Sequence, residues 1–352
     1  MTDPAAEGLD AVSRRARTAL VGCLAPRSAL SLALVGREGV ALRTHGRTAQ
    51  AAGPPVTPET PFEVGSVSKV FTALLFADAV ARGELAHRDP IDALLAPRHR
   101  PDLSHGGPIT LLHLATHTSG LPRLPPGLLR SALPHWASNP YEAFSAEQLT
   151  AALGRTRVRG RPGGRLRYSN FGVGLLGRLL ADAAGTDYPA LLAERIAGPL
   201  RLTGTGCAAG PPSRAVGHAH GRDLPPWRIP GMPGAGAVRA TGHDLAVLLR
   251  AHLTAGGDPS PDLSVLGAAL RDVQRPRLTV PHGTDRLALV WNVRRCGEGD
   301  LLFHSGATRG FTAFLGFAPH AGVGLAALTN QPPALNGRFV QAAYEQLRAL
   351  AG

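Results

Sequence analysis

A serine and a lysine stand three residues apart in Phe62-Glu63-Val64-Gly65-Ser66-Val67-Ser68-Lys69, and side chains of those two types can carry out acyl transfer. Lys69 is the only lysine in 352 residues; every other residue in the Lys+Arg count of 37 is arginine. A chain so biased towards arginine keeps a lysine most readily where arginine cannot do the job. Arginine, with a pKa above about 12, stays charged in a protein, whereas a buried lysine can lose its proton. Bringing a lysine from about 10.4 to near 7 costs roughly 4–5 kcal/mol, which desolvation and a neighbouring charge can supply. The lone lysine reads as a working base.

The partner of that base would be Ser66. Apolar residues at Val67, Val70, Phe71, Leu74 and Leu75 recur at helical spacing, and Gly83 provides a C-terminal stop. On such a helix Ser66 and Lys69 share a face, about 5–6 Å apart at Cβ. The Ser66 hydroxyl would lie at the helix N-terminus, where free N–H groups can help an oxyanion. A nucleophile with a base one turn away is an activated serine. Taken alone, Ser-x-x-Lys fits a surface helix with a polar first turn equally well.

Two further constellations bear on that choice. Tyr168-Ser169-Asn170 follows a glycine- and arginine-rich stretch and precedes a helical pattern ending near Gly185. A tyrosine beside a lysine ammonium can be drawn from about 10 towards proton-transfer range. Asn170 offers an amide to hold the lysine or a substrate carbonyl. His304-Ser305-Gly306 ends a predicted strand, with Ala307 next; the glycine would let substrate lie close, and the Ala307 N–H could complete an oxyanion hole. Separately, a core tyrosine with a helix cap and an ordinary turn would explain both.

Together, Ser66-Val67-Ser68-Lys69, Tyr168-Ser169-Asn170 and His304-Ser305-Gly306 resemble, in this order, the three motifs of the serine β-lactamase and penicillin-binding-protein superfamily. The tyrosine form of the second motif is similar to the class C branch, with its esterases, D-amino-acid peptidases and acyltransferases. The stretch from Leu112 to Pro122, LHLATHTSGLP, resembles that branch too, and the likeness spans nearly the whole chain. The resemblance implies that Ser66 is acylated, that Lys69 and Tyr168 share base and acid work, and that Asn170 positions Lys69 or substrate. It implies an oxyanion hole from the N–H groups of Ser66 and Ala307, beside Ser305 and Gly306, and chemistry without a metal or cofactor. Many β-lactamases carry lysine where this chain has His304. A histidine is mostly neutral at pH 7, so the departure favours small ester or amide substrates over lactams and D-Ala-D-Ala termini. A binding or sensor protein that kept the fold is the alternative outside enzymes.

The elements that must position these groups follow from periodicity. Residues 5–24 place Leu9, Val12, Ala16 and Leu20 on one helical face; residues 29–35 and 40–45 read as a hairpin around Gly36–Gly39. Residues 86–280 alternate short helical patterns with Pro- and Gly-rich loops, and the loop 207–237 is long enough to be functional or mobile. Strand character returns at 286–295, 300–304, 311–318 and 322–329, and a helix closes the chain at about 336–350. The expected fold is α/β in the α+β sense: an antiparallel sheet built from both chain ends, covered by the terminal helices, with a mostly helical lobe inserted. The division expected is 1–85 plus 285–352 against 86–284.

Composition narrows the function classes. No run reaches the roughly 18 apolar residues of a membrane span, and Met1–Glu7 shows no basic-then-apolar leader, so a cytoplasmic location is expected. Cys23, Cys207 and Cys296 are odd in number and far apart, as free thiols are. The net charge of +12 could suggest nucleic acid, but only Arg155, Arg157, Arg159, Arg161, Arg165 and Arg167 cluster, and aromatics are 5%. A solvated basic surface and no nucleic-acid partner are expected. Three decoys are set aside. Gly172–Gly177 matches G-x-G-x-x-G without a preceding strand, so its glycines suit helix packing. His113 and His117 lack the glutamate of a zinc helix. No G-x-S-x-G elbow occurs.

Overall fold

The computed structural model describes residues 8–50, 53–103, 106–135, 139–158, 160–211, 213–255, 264–280 and 284–352. Residues 1–7 and Arg159, which entered the readings above, lie outside them.

One eight-stranded antiparallel sheet dominates. In chain order its strands are β1 (Leu30–Gly36), β2 (Gly39–His45), β3 (Leu278–Thr279), β4 (Arg286–Leu287), β5 (Asn292–Cys296), β6 (Gly299–Ala307), β7 (Thr312–Ala318) and β8 (Val323–Thr329). Across the sheet they run β2-β1-β8-β7-β6-β5-β4-β3, so the N-terminal hairpin joins the C-terminal meander through the β1–β8 pair, with Leu30 opposite Thr329. The central strands are buried on both faces, which is why they read as nearly continuous apolar runs.

Each face has its own cover. Helices α1 (Leu9–Val21) and α6 (Arg338–Ala351) cover one, placing Val12, Ala16, Leu20, Phe339, Ala343 and Leu347 against Leu30, Leu32, Leu34 and Phe314. The expected pairing of terminal helices on one face is what forms. The other face meets α4 (Gly242–Thr254), which packs on β1 and β8, and beyond it the larger core of the helical lobe. There α2 (Ser68–Ala81) is buried almost all round and packs against α3 (Asn170–Ala183) and α5 (Ser264–Asp272). In α3, a Cβ at Gly174 would lie 2.7 Å from Met232 Cβ, so that glycine permits close packing, as its helical context predicts.

Two expectations are corrected. The strand predicted over 286–295 is a hairpin, β4 and β5, broken at Ala288–Trp291, where Ala288 N–H bonds Trp291 O and Val290 adopts φ 57°. Leu289, Val290 and Trp291 turn into the core; apolar β-formers look alike in a strand and in a buried turn. The strand predicted to end at His304 continues to Ala307, carrying the third motif on a sheet strand. Among the described residues no helix is long and apolar enough to cross a membrane.

Candidate active site

Ser66 sits on a single 3-10 turn, Gly65–Val67, that runs directly into α2. The turn is pressed against the end of β6. Gly65 takes φ 51°, and a Cβ on it would lie 2.5 Å from Ala307 O. A Cβ on Gly306 would overlap Val64 O and lie 2.8 Å from Ser66 N. The space over Gly306 is therefore taken by the chain's own Val64–Val67 backbone, not held open for substrate. The two glycines set the Ser66 turn beside Ala307, and both residues line one small cleft of about 50 Å³ with Tyr141, Asn170 and Trp227.

Lys69 Nζ lies 2.9 Å from Ser66 Oγ and 2.6 Å from Ala235 O, with the whole side chain buried. Burial, and then the positive charge of Arg123, bring its pKa down to about 7. Tyr168 approaches the same oxygen, its hydroxyl donating to Ser66 Oγ at 2.8 Å. Burial pushes the Tyr168 phenol above its ordinary value, against the opposing pull of the Ser66 hydrogen bond and Arg123. One hydroxyl oxygen thus meets a lysine made easy to deprotonate and a tyrosine made hard to ionise.

Neighbouring groups hold Tyr168 in place. Its ring stands 4.5 Å from that of His117, whose Nδ1 accepts from the Ser169 N–H at 3.2 Å. Ser169 caps α3, accepting from Gly172 N–H and donating to Pro122 O. Burial and the charges of Lys69 and His304 push His117 down to about 3, so it serves as a neutral acceptor. His113 caps the short helix Leu111–Ala115, its Nδ1 accepting from Thr110 N–H.

His304, buried on β6, is pushed down to about 3 by burial and then by the Lys69 charge. Its Nδ1 lies 2.7 Å from Ser305 O, and a carbonyl can only accept, so Nδ1 carries the proton. Ser305 contributes that carbonyl. Asn170 opens α3 and lines the cleft; its side chain pairs with Tyr141, and its Oδ1 is buried without a partner among the described residues. Lys69 makes its two hydrogen bonds to Ser66 and Ala235, not to Asn170.

Several residues of the site carry no motif. Tyr141 and Trp227 form an edge-to-face wall, ring centroids 5.3 Å apart. The buried Glu63–Arg239 pair fixes that wall: Glu63 Oε1 accepts from Trp227 N–H and Arg239 Nη2, and Oε2 from the hydroxyl of Thr308, next to Ala307. Glu63 lay within the stretch that marks the serine helix. Ala235 acts through its carbonyl, which any residue type would present.

Comparisons with known proteins bear on the fold and the family. A solved class C β-lactamase superposes with a TM-score of 0.83 over 99% of both chains at 21% identity, a likeness of fold. The D-alanyl-D-alanine-carboxypeptidase/endopeptidase AmpH of Escherichia coli (strain K12) is 25% identical over 314 residues, 86% of this chain and 80% of that protein. Esterase EstB of Burkholderia gladioli is 31% identical over 255 residues, 70% of this chain and 64% of that protein. The family model for beta-lactamase matches residues 20–350, and the chain belongs to that family.

Proposed function

We propose that the protein is a serine hydrolase that forms an acyl-enzyme on Ser66 and acts on small esters or amides. The observation that carries this reading is the convergence of Lys69 Nζ and the Tyr168 hydroxyl on Ser66 Oγ, with their proton affinities pushed apart. Ser66 Oγ attacks the carbonyl carbon while its proton passes to neutral Lys69. The N–H groups of Ser66 and Ala307 receive the oxyanion, each such donor typically worth about 2.7–4 kcal/mol. Tyr168, kept protonated by burial, gives its proton to the departing alcohol or amine and recovers one from the Lys69 ammonium. Water then releases the acyl group with the same residues reversed. Asn170, which lines this cleft, holds the substrate.

The choice of esters over lactams rests on His304. Where the resemblance calls for a cation that meets a substrate carboxylate, this chain has a buried neutral ring. EstB, an esterase by name, is among its relatives. Hydrolysis of p-nitrophenyl butyrate is expected to exceed that of nitrocefin at least about tenfold in kcat/KM, a barrier difference of about 1.4 kcal/mol. Faster nitrocefin turnover would reverse the assignment and make β-lactams or D-Ala-D-Ala peptides the substrates, as the AmpH likeness allows.

A further inference from the structure

The site has a cation that no motif announces. The Arg123 guanidinium carbon stands 5.3 Å from the centre of the Tyr168 ring, the same ring whose hydroxyl bonds Ser66 Oγ. Lys69 Nζ lies 5.1 Å from that ring centre, so both basic side chains share one tyrosine. The Arg123 backbone is fixed, because its carbonyl accepts from the N–H groups of Asn170 and Phe171 at 2.9 and 3.2 Å. Asn170 lines the cleft. The base of the arginine is therefore tied to the cleft wall while its head is exposed to solvent.

An exposed arginine in an arginine-rich chain is ordinarily just solvated. Three observations set Arg123 apart. Among the described residues it has no carboxylate partner; Glu142 pairs with Arg228, and Glu63 with Arg239. Its charge reaches into the site, adding to the burial that lowers the proton affinity of Lys69 and opposing the burial that raises those of Tyr168 and Tyr141. Two other basic groups of the site are not free to meet an anion: His304 is buried, and Lys69 is committed to Ser66 and Ala235. A guanidinium presents a fork of donors that matches a carboxylate in two bonds, and among the described residues this fork has no hydrogen-bond partner.

We propose that Arg123 anchors substrate, selecting esters or amides that carry a carboxylate a short chain away from the scissile carbonyl. The proposal rests on the hydrolase reading above and adds the charge of the substrate to it. In this arrangement the cation that recognises the anion sits on the Tyr168 side of Ser66, not on β6.

The test compares kcat/KM for matched anionic and neutral esters in the whole protein. One arm places the charge on the acyl side, p-nitrophenyl hemisuccinate against p-nitrophenyl butyrate. The other places it on the leaving group, 4-carboxyphenyl butyrate against phenyl butyrate. In each arm the anionic-to-neutral ratio of wild type is divided by that of Arg123→Met, which cancels intrinsic reactivity. At least one arm is expected to show a quotient of about tenfold or more, the lower end of what a charge-assisted hydrogen bond contributes, and that arm locates the carboxylate. Arg123→Glu should widen the quotient and Arg123→Lys should shrink it, with folding checked by thermal melting. Wild type alone gives a second readout. Raising ionic strength from about 0.01 M to 1 M shortens the screening length from roughly 30 to 3 Å and should erode the preference. Quotients within about twofold of unity in both arms, or a preference blind to salt, would overturn the anchor while leaving the hydrolase reading intact. If wild type hydrolysed none of the four esters, the hydrolase reading would fall and take the anchor with it.

Discussion

At the scale of single residues the decisive contrast is between the Lys69 and Tyr168 protons. Burial acts on both, and because it disfavours whichever form is charged, it favours a neutral lysine and a neutral tyrosine, the forms the proposed base and acid need. The sign of the pH dependence follows. Below about 7 Lys69 holds its proton and cannot take the one on Ser66, so kcat/KM should fall as pH drops through about 7. The opposite limb should lie above the ordinary tyrosine range, where Tyr168 ionises. Lys69→Arg preserves charge but offers no neutral form at pH 7, so it should lose about 10²–10⁴-fold, nearly as much as Lys69→Ala. Rates for both variants from pH 6 to 10 check this. An arginine variant within about tenfold of wild type would remove the proton-acceptor role and leave Lys69 only a field effect on Tyr168.

At the scale of elements, the parts that were legible are those whose burial has a period. The first and closing helices bury one stripe each, and apolar spacing reports that directly. Residues 286–295 lack such a period: Leu289, Val290 and Trp291 are buried in a turn, and a buried turn leaves none. The site divides along the same line. Ser66, Lys69, Tyr168 and His304 are identified by what their side chains do, and α2, the approach to α3, and β6 bring them together. Ala235 contributes a carbonyl, and Tyr141 and Trp227 contribute shape, none of which a residue type advertises. Arg123 was hidden for another reason: in a chain where arginine is the default cation, one more carries no signal until its distance to Tyr168 is known. The loop 207–237 was open between function and mobility; it supplies Trp227, Met232, Ala235 and Gly236 to the cleft wall.

At the scale of the whole molecule, the fold accumulates a sensitivity to acid. His117, His252 and His304 are each held down to about 3, chiefly by burial. His252 lies outside the site, stacked on Phe317 at 4.8 Å with neither ring nitrogen partnered among the described residues. All three are neutral in the fold, and each gains a proton on unfolding once pH falls below about 6.5. Their stabilisation is complete above that value and is lost as pH falls towards 3. Between about pH 6 and 4, these three histidines should take up about three protons on unfolding, removing up to about 4 kcal/mol of stability per pH unit. Urea midpoints at half-unit steps of pH measure the slope, and His252→Phe should lower the uptake by about one proton. An uptake below about one proton for wild type would mean that the histidines are charged or solvated in the folded state.

The most direct test of the central claim, that Ser66 is the nucleophile of an acyl-transfer site, is the intact mass of the protein after reaction with a fluorophosphonate, followed by peptide mapping. One adduct per chain is expected, on Ser66, forming faster as pH rises through about 7 in step with Lys69, and none in a folded Ser66→Ala variant. That substitution removes a single oxygen from a turn whose course is set by Gly65 and Gly306, so the fold should survive it. An adduct of undiminished yield in Ser66→Ala, or one mapped to another residue in wild type, would contradict the account.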